Sequence, residues 1–301
     1  MKAAFKGRPI VFGEVLFDRF GNGASVLGGA PFNVAWHLQG FCLDPLFIGR
    51  IGTDALGAQV QQAMAGWGMD QAGLQHDREH PTGTVQISLR EGQPDYTLLP
   101  QQAYDFIDAD TARQAVEQAQ GALLYHGSLA ARHATSSKAL HALRRLDLPC
   151  FVDLNLRTPW WKAGNLVELI RGTRWLKLND AELDIISAQP DDCLKAAAAL
   201  RRQHDIELLT VTLGADGAWL VTEQETLRAA AAPVEVVDTV GAGDAFSAAM
   251  LLGIWRGWPL ALSLQQAVEF AADICRQRGA TRHDPDFYSS WLERWQASDK
   301  T

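Results

Sequence analysis

Short apolar runs of strand length alternate with helix-patterned segments along most of this chain, and that alternation limits the possible folds more than any other feature. Runs at 10–17, 46–51, 122–125, 150–154, 175–178 and 208–212 read as strands. Segments at 55–65, 111–120, 137–146 and 194–203 read as helices, with another starting near Pro31. Such an order predicts a largely parallel sheet covered by helices. One stretch breaks the pattern. Between 84 and 90, Val85, Ile87 and Leu89 alternate with Gln86 and Ser88, the period of a strand with one wet face. With a turn at 92–94, a partner at 96–99 and the chain at 18–25, it reads either as a small β flap covering a site or as a plain surface hairpin. The polar tail after Asp284 carries Phe287, Tyr288 and Trp291 and reads as a terminal helix packed on the body.

Bulk composition excludes several classes. The 301 residues suffice to bury a large core without disulfides or structural metal. A net charge of −8 gives no general attraction to nucleic acid or to an anionic membrane. Cys42, Cys150, Cys193 and Cys275 form no CxxC pair, which points to reduced, mostly buried thiols in a cytoplasm. Lys6 and Arg8 interrupt the N-terminus before a secretory apolar region forms, and no apolar run approaches the roughly 18 residues of a membrane helix.

The stretch VVDTVGAGDAFS at 236–247 carries the clearest chemistry. A β-branched run ends at Asp238, Gly241-Ala242-Gly243 follows, and 245–254 reads as a helix, so a glycine loop opens a helix at a strand end. Backbone N–H groups and the helix dipole make that arrangement an anion site. Asp244 would repel a resting phosphate there. It fits as a base that takes the proton of an attacking hydroxyl, with the amides of Ala242, Gly243 and Asp244 stabilising the transferred group. The alternative is that Asp244 only caps the helix. Other phosphate and nucleophile patterns fail: GxxxxGK[ST], GxGxxG on the first βα turn, HRD, DFG, HExxH and GxSxG are all missing.

With DTVGAGDAF at 238–246, GGAPFNVA at 28–35, and FIGRIGTD at 47–54 followed by Gly57, the chain resembles the ribokinase-like, or PfkB, family of carbohydrate kinases over nearly its whole length. The wording at 28–35 and PTGT at 81–84 is most similar to the fructokinase branch. The resemblance implies one ribokinase-like α/β domain over 1–301, a mostly parallel sheet with helices on both faces, and a small β lid from about 17–27 and 82–106. It implies ATP and Mg²⁺ as cofactors and transfer to a primary sugar hydroxyl, fructose giving fructose 6-phosphate.

It also implies a sugar site at Asp18, Gly28, Gly29 and Asn33, with Asp244 as base. Asn33 and the two glycines could equally serve a helix start and a turn. DLNLR at 153–157 leaves Arg157 open between an acidic ligand and a structural ion pair. NDAE at 179–182 matches the family's NxxE motif, which puts Glu182 near Mg²⁺ through water and Asn179 near the nucleotide; the same pair reads as a capping box. TLGADG at 212–217 resembles the nucleotide loop, with Thr212, Gly214, Gly217 and also Gly243 facing nucleotide. Residues 271–279 fall where the family has part of its adenine pocket. Asp238 and Thr239 match a K⁺ site, and a homodimer through the lid is a family feature. Lys177 reads as a solvated or sheet-end charge, and His37, His126 and His133 as structural or surface residues. Other readings are a kinase of 2-keto-3-deoxygluconate, ribose or a nucleoside, a non-catalytic sugar or nucleotide sensor, and a nucleotide-dependent oxidoreductase.

Overall fold

The computed structural model describes residues 5–21, 23–90, 93–187 and 192–298. In chain order the strands are β1 (Arg8–Phe12), β2 (Leu16–Phe20), β3 (Ser25–Gly28), β4 (Leu46–Gly52), β5 (Leu74–Asp77), β6 (Gly83–Arg90), β7 (Gln93–Leu98), β8 (Gly121–His126), β9 (Cys150–Asp153), β10 (Trp175–Asn179), β11 (Leu208–Thr212), β12 (Ala218–Val221) and β13 (Thr226–Ala229). The helices are α1 (Ala30–Gly40), α2 (Ala55–Gly66), α3 (Ala109–Gln118), α4 (Ala134–Arg144), α5 (Ala163–Ile170), α6 (Asp180–Ile186), α7 (Cys193–Gln203), α8 (Ala242–Arg256), α9 (Leu260–Ile274) and α10 (Pro285–Ser298).

Nine strands form the main sheet in the order β13-β12-β11-β10-β9-β8-β1-β4-β5. All pairs from β5 to β11 are parallel, while β12 and β13 add an antiparallel edge. Side chains on successive strand positions enter different cores. Val11, Phe47 and Phe151 join one cluster, whereas Ile10, Phe12, Leu46, Ile48, Cys150 and Val152 join the other. Both faces are therefore apolar, which is why these strands read as continuous apolar runs. Helices α1, α2, α8, α9 and α10 cover the first face and α3 to α7 the second. The strand order reverses between β1 and β8, and open α/β sheets bind ligands outside the C-terminal strand ends at such a point.

The second sheet has the order β3-β2-β6-β7; β2 pairs antiparallel with β3 and parallel with β6, and β6 pairs antiparallel with β7. Part of the turn expected at 92–94 lies outside the described residues. The run at 10–17 is not one strand, because Gly13, at φ +157°, turns the chain from the first sheet toward the second. A Cβ at Gly13 would stand 2.3 Å from the Pro31 ring. The β-branched run before the glycine loop is not a strand either. Val237 and Asp238 donate their N–H groups to the Cys275 carbonyl at the end of α9, and Val236 and Val237 lie exposed. Tertiary anchoring there overrides β propensity.

The terminal helix packs as expected, with Tyr288, Trp291 and Trp295 all buried against α1 and α9. Cys150 is buried and Cys42 exposed, so the thiols are less uniformly buried than the sequence suggested, and all four are free. Among the described residues, no helix is long and apolar enough to cross a membrane.

Gly217 (φ +90°) closes the turn into β12, and a Cβ there would meet the Ala229 carbonyl oxygen at 2.0 Å; at Gly214 (φ +55°) a Cβ would meet nothing within 4 Å. Gly217→Ala should therefore cost about 1–3 kcal/mol or more, and Gly214→Ala distinctly less, read as an earlier urea midpoint at unchanged slope.

Candidate active site

Helix α8 begins on Gly241, whose φ of +81° and contact with Ala280 (a Cβ would lie 2.3 Å from that residue's Cβ) leave room only for glycine. Ala280 is itself tied to α1, since its carbonyl lies 3.0 Å from His37 Nε2 and His37 Nδ1 lies 2.9 Å from the Tyr288 hydroxyl. Burial holds the His37 pKa down at about 3, so this imidazole is a neutral structural link. Ala242, Gly243 and Asp244 form the first turn of α8, where amides have no intrahelical acceptor. The Ala242 amide donates to the Thr239 carbonyl at 3.3 Å, which leaves those of Gly243 and Asp244 at the positive end of the helix.

Asp244 is not the cap. The N-cap is Gly241, and Asp244 Oδ2 accepts a 2.8 Å hydrogen bond from Asn33 Nδ2. Only 7% of Asp244 is exposed, and burial pushes its pKa up to about 6, against the hydrogen bond from Asn33 and with help from the Asp153 charge. Asn33 stands in the first turn of α1 after Gly29, which has φ +108°. The two helix starts meet across this bond.

Beneath the glycine loop lies a charged pair that the sequence reading missed. Lys177 on β10 places Nζ 3.0 Å from both carboxylate oxygens of Asp153 at the end of β9. Ser247 donates to Asp153 Oδ2 at 2.8 Å, and the Tyr125 hydroxyl at 3.4 Å. Lys177 is 6% exposed, so it is not the solvated charge expected. Burial disfavours its ammonium, but Asp153 and then Glu182 hold the pKa above its ordinary value. A Cβ on Gly243 would lie 3.0 Å from Lys177 Nζ, so the ammonium sits directly against the loop. A lysine inside the apolar strand Trp175-Leu176-Lys177-Leu178 was the available signal, because a strand buried on both faces carries a charge only when it is paired.

On the side of the second sheet, the Gly28 Cα faces Asp18 and Asn33: a Cβ there would be 4.0 Å from Asp18 Oδ2 and 3.9 Å from Asn33 Oδ1. Gly29 abuts the Glu14 carbonyl, 2.6 Å from a Cβ position. Burial raises the Asp18 pKa, and Arg157 opposes that rise. Arg157 is exposed and acts electrostatically on Glu14, Asp18 and Asp244. Among the described residues it forms no salt bridge. Asp18, Gly28, Gly29, Asn33, Arg157 and Asp244 thus gather around one region. Glu14, 3% exposed and buried beside them, was also missed.

On the other side, Asn179 and Thr212 are ladder partners at the ends of β10 and β11. Asn179 and Glu182 do form a capping box: Asn179 Oδ1 accepts from the Glu182 amide at 2.8 Å, and Glu182 Oε2 accepts from the Asn179 amide at 2.9 Å. Glu182 Oε1 accepts from the Leu156 amide at 2.6 Å. Asp238 accepts from the Val240 and Gly279 amides at 3.0 and 3.1 Å, beside Thr239. Gly214 faces open space, whereas Gly217 is needed by the sheet. Among the described residues no group of three or more His, Cys, Asp or Glu side chains is placed to hold a metal. A divalent ion here would take most of its ligands from phosphate oxygens and water, as magnesium does.

A helix start built from glycines with a buried carboxylate at it suits phosphoryl transfer to a small hydroxylated acceptor. Residues 13–286 match the pfkB family carbohydrate kinase model, and the chain belongs to that family of sugar kinases. Over 263 residues, 82% of this chain and 84% of the relative, it is 30% identical to a fructokinase of Klebsiella pneumoniae. It is 29% identical to a fructokinase of Escherichia coli over 235 residues, 75% of this chain and 76% of that one. The fold is ribokinase-like. A crystal structure of fructokinase with bound ATP from Xylella fastidiosa superposes with a TM-score of 0.81 at 22% identity, covering 97% of this chain and 98% of that one. Aminoimidazole riboside kinase from Salmonella enterica gives 0.79 at 23% identity, covering 95% and 99%.

The raised pKa of Asp244 has a stability consequence. The folded state keeps this proton up to about pH 6, whereas a free Asp loses it near 3.8, so folding stability falls as pH rises through that window and stays reduced above it. Asp244→Asn should therefore be more stable than the parent at pH 8, by up to about 3 kcal/mol, with the gap closing toward pH 4. Thermal melting across pH checks this.

Proposed function

We propose that this chain transfers the γ-phosphoryl group of ATP to the primary 6-hydroxyl of fructose, with Asp244 as general base. The observation that carries the reading is the buried Asp244 carboxylate, held by Asn33 in the first turn of α8 beside the amides of Gly243 and Asp244, which have no intrahelical acceptor there. The acceptor oxygen forms its bond to the γ-phosphorus, the bond from that phosphorus to the β,γ-bridging oxygen breaks, ADP leaves, and the hydroxyl proton passes to Asp244. The amides and the nearby Lys177 ammonium stabilise charge on the transferred group. Mg²⁺, when bound, would neutralise phosphate charge, with Glu182 acting through water and Asn179, Thr212, Gly214 and Gly217 on the nucleotide side. A potassium ion at Asp238 and Thr239 belongs to the same reading. Its support is the Vibrio cholerae fructokinase double mutant solved with fructose, ADP and potassium.

Fructose is favoured by the fructokinase relatives and by local charge. The exposed Arg157 acts on Glu14, Asp18 and Asp244, so an anionic acceptor would compete with these three carboxyl groups for it. The second reading, an acidic acceptor such as 2-keto-3-deoxygluconate, rests on Arg157 forming no salt bridge among the described residues. For the second sheet we propose the role of a lid, formed by about 17–27 and 82–106, and of a dimer face, since Phe20, Val26 and Tyr96 on it are exposed. Sedimentation should then report a dimer that Val26→Glu dissociates.

ADP release should be measured with ATP–Mg²⁺ and K⁺ across fructose, ribose, 2-keto-3-deoxygluconate, other hexoses and nucleosides. Fructose should turn over best, and Asp244→Asn should lower kcat by about 10³-fold or more with ATP affinity kept. Equal loss of binding and turnover would assign Asp244 a structural role. The rate should climb with pH up to about 6 and then level, because protonated Asp244 accepts no proton. Arg157→Ala should leave most fructose turnover intact; selective loss on the acidic sugar would favour the second reading.

A further inference from the structure

Four buried side chains from four elements are locked together beneath the start of α8: Tyr125 on β8, Asp153 on β9, Lys177 on β10 and Ser247 on α8. Asp153 and Lys177 are ladder partners, so strand register sets the carboxylate beside the ammonium. Asp153 Oδ1 accepts from Lys177, and Oδ2 accepts from Lys177, Ser247 and the Tyr125 hydroxyl. Tyr125 and Ser247 are hydrogen-bonded to each other as well. The cluster is tied to Asp244 from two sides. Lys177 Nζ would stand 3.0 Å from a Cβ on Gly243, the residue before Asp244. Ser247, which holds Asp153 at 2.8 Å, lies three positions after Asp244 and so on the same face of α8.

A buried ion pair is a weak source of stability, because apolar residues of similar volume often serve a core as well or better. Its place against the helix start points to another role. Two opposite charges fixed in a poorly screened interior act strongly on a third ionisable group beside them. Asp153 disfavours the Asp244 carboxylate, and Lys177 favours it. The other groups facing Asp244 are Asn33 on α1, Glu14 after β1, Tyr125 on β8 and Arg157 after β9. Asn33 carries no charge, burial keeps the Tyr125 hydroxyl protonated, and Arg157 is exposed to screening solvent. Glu14 is no fixed charge, since burial pushes its own pKa up to about 7.

We infer that Asp153 and Lys177 are positioning residues of opposite effect, held to the start of α8 through Ser247 and Gly243, and that together they set how readily Asp244 takes up a proton. The inference rests on the kinase reading only in taking Asp244 as the base.

The test follows Asp244 directly, by NMR of protein labelled with ¹³C at the aspartate carboxyl carbons. The resonance that Asp244→Asn removes reports this group, and aspartate labelling leaves Glu14 silent. Asp153→Asn should move its titration midpoint down by about one pH unit and Lys177→Met up by about one, a roughly tenfold change in proton affinity each way. Glu182 also favours the Lys177 ammonium, so Asp153→Asn leaves that charge a partner. Melting curves confirm folded variants, and either variant alone decides by the sign of its shift if the other does not fold. No shift in a folded variant, or a shift of the opposite sign, would overturn the inference and leave the pair a structural role. The acid limb of kcat, followed by ADP release, should move with the resonance. A limb that stays while the resonance moves would remove Asp244 as the base and leave this inference standing.

Discussion

The hydrogen bond from Asn33 to Asp244 joins residues 211 positions apart and sets two helix starts against each other. Everything else at the site is arranged around the carboxylate it holds. Each helix start contributes a positive end, which favours anions, yet Asp244 is buried there with its own charge disfavoured. The Lys177–Asp153 pair beneath the loop makes this tolerable. Lys177 offsets negative charge close to Gly243, and Asp153, tied down by Ser247 and Tyr125, keeps the ammonium in place. Removing either partner would strand the other in a low-dielectric interior, so the pair is a condition of the loop's geometry as well as of its electrostatics.

The second constraint is the short link between the sheets. Gly13 lets the chain leave β1, Glu14 follows at the strand end, and β2 begins at Leu16 in the other sheet. Three positions therefore separate a strand of the main sheet from one carrying Asp18. The side of the site next to the second sheet is built at this junction, where Gly29 lets the start of α1 come against the Glu14 carbonyl. A larger residue at Gly13 or Gly29 would push apart elements that must meet, because packed interiors do not deform by small amounts without cost.

The glycines of the motifs divide into two physical kinds. Gly241, Gly29 and Gly217 each combine positive φ with a neighbour that would collide with a Cβ, so the backbone itself requires them. Gly214 has open space around it, which leaves room for a ligand to approach. A motif alone lists both kinds alike.

The sequence by itself determined the alternating architecture, because strands buried on both faces must be apolar at every position and helices at every third or fourth. It also marked the glycine loop with Asp244, Asn33, the capping pair Asn179 and Glu182, and the strand with one wet face at 84–90, since each depends on neighbours close in the chain. It misread 10–17 as one strand and 236–237 as another, where apolar and β-branched content outweighed a glycine's turn and an anchor on Cys275. Only the tertiary structure decided that Lys177 is buried against Asp153 and that Asn33 bonds Asp244 rather than merely starting a helix. Those facts depend on chain segments tens to hundreds of residues apart, and local periodicity carries no information about which distant side chain will share a buried position.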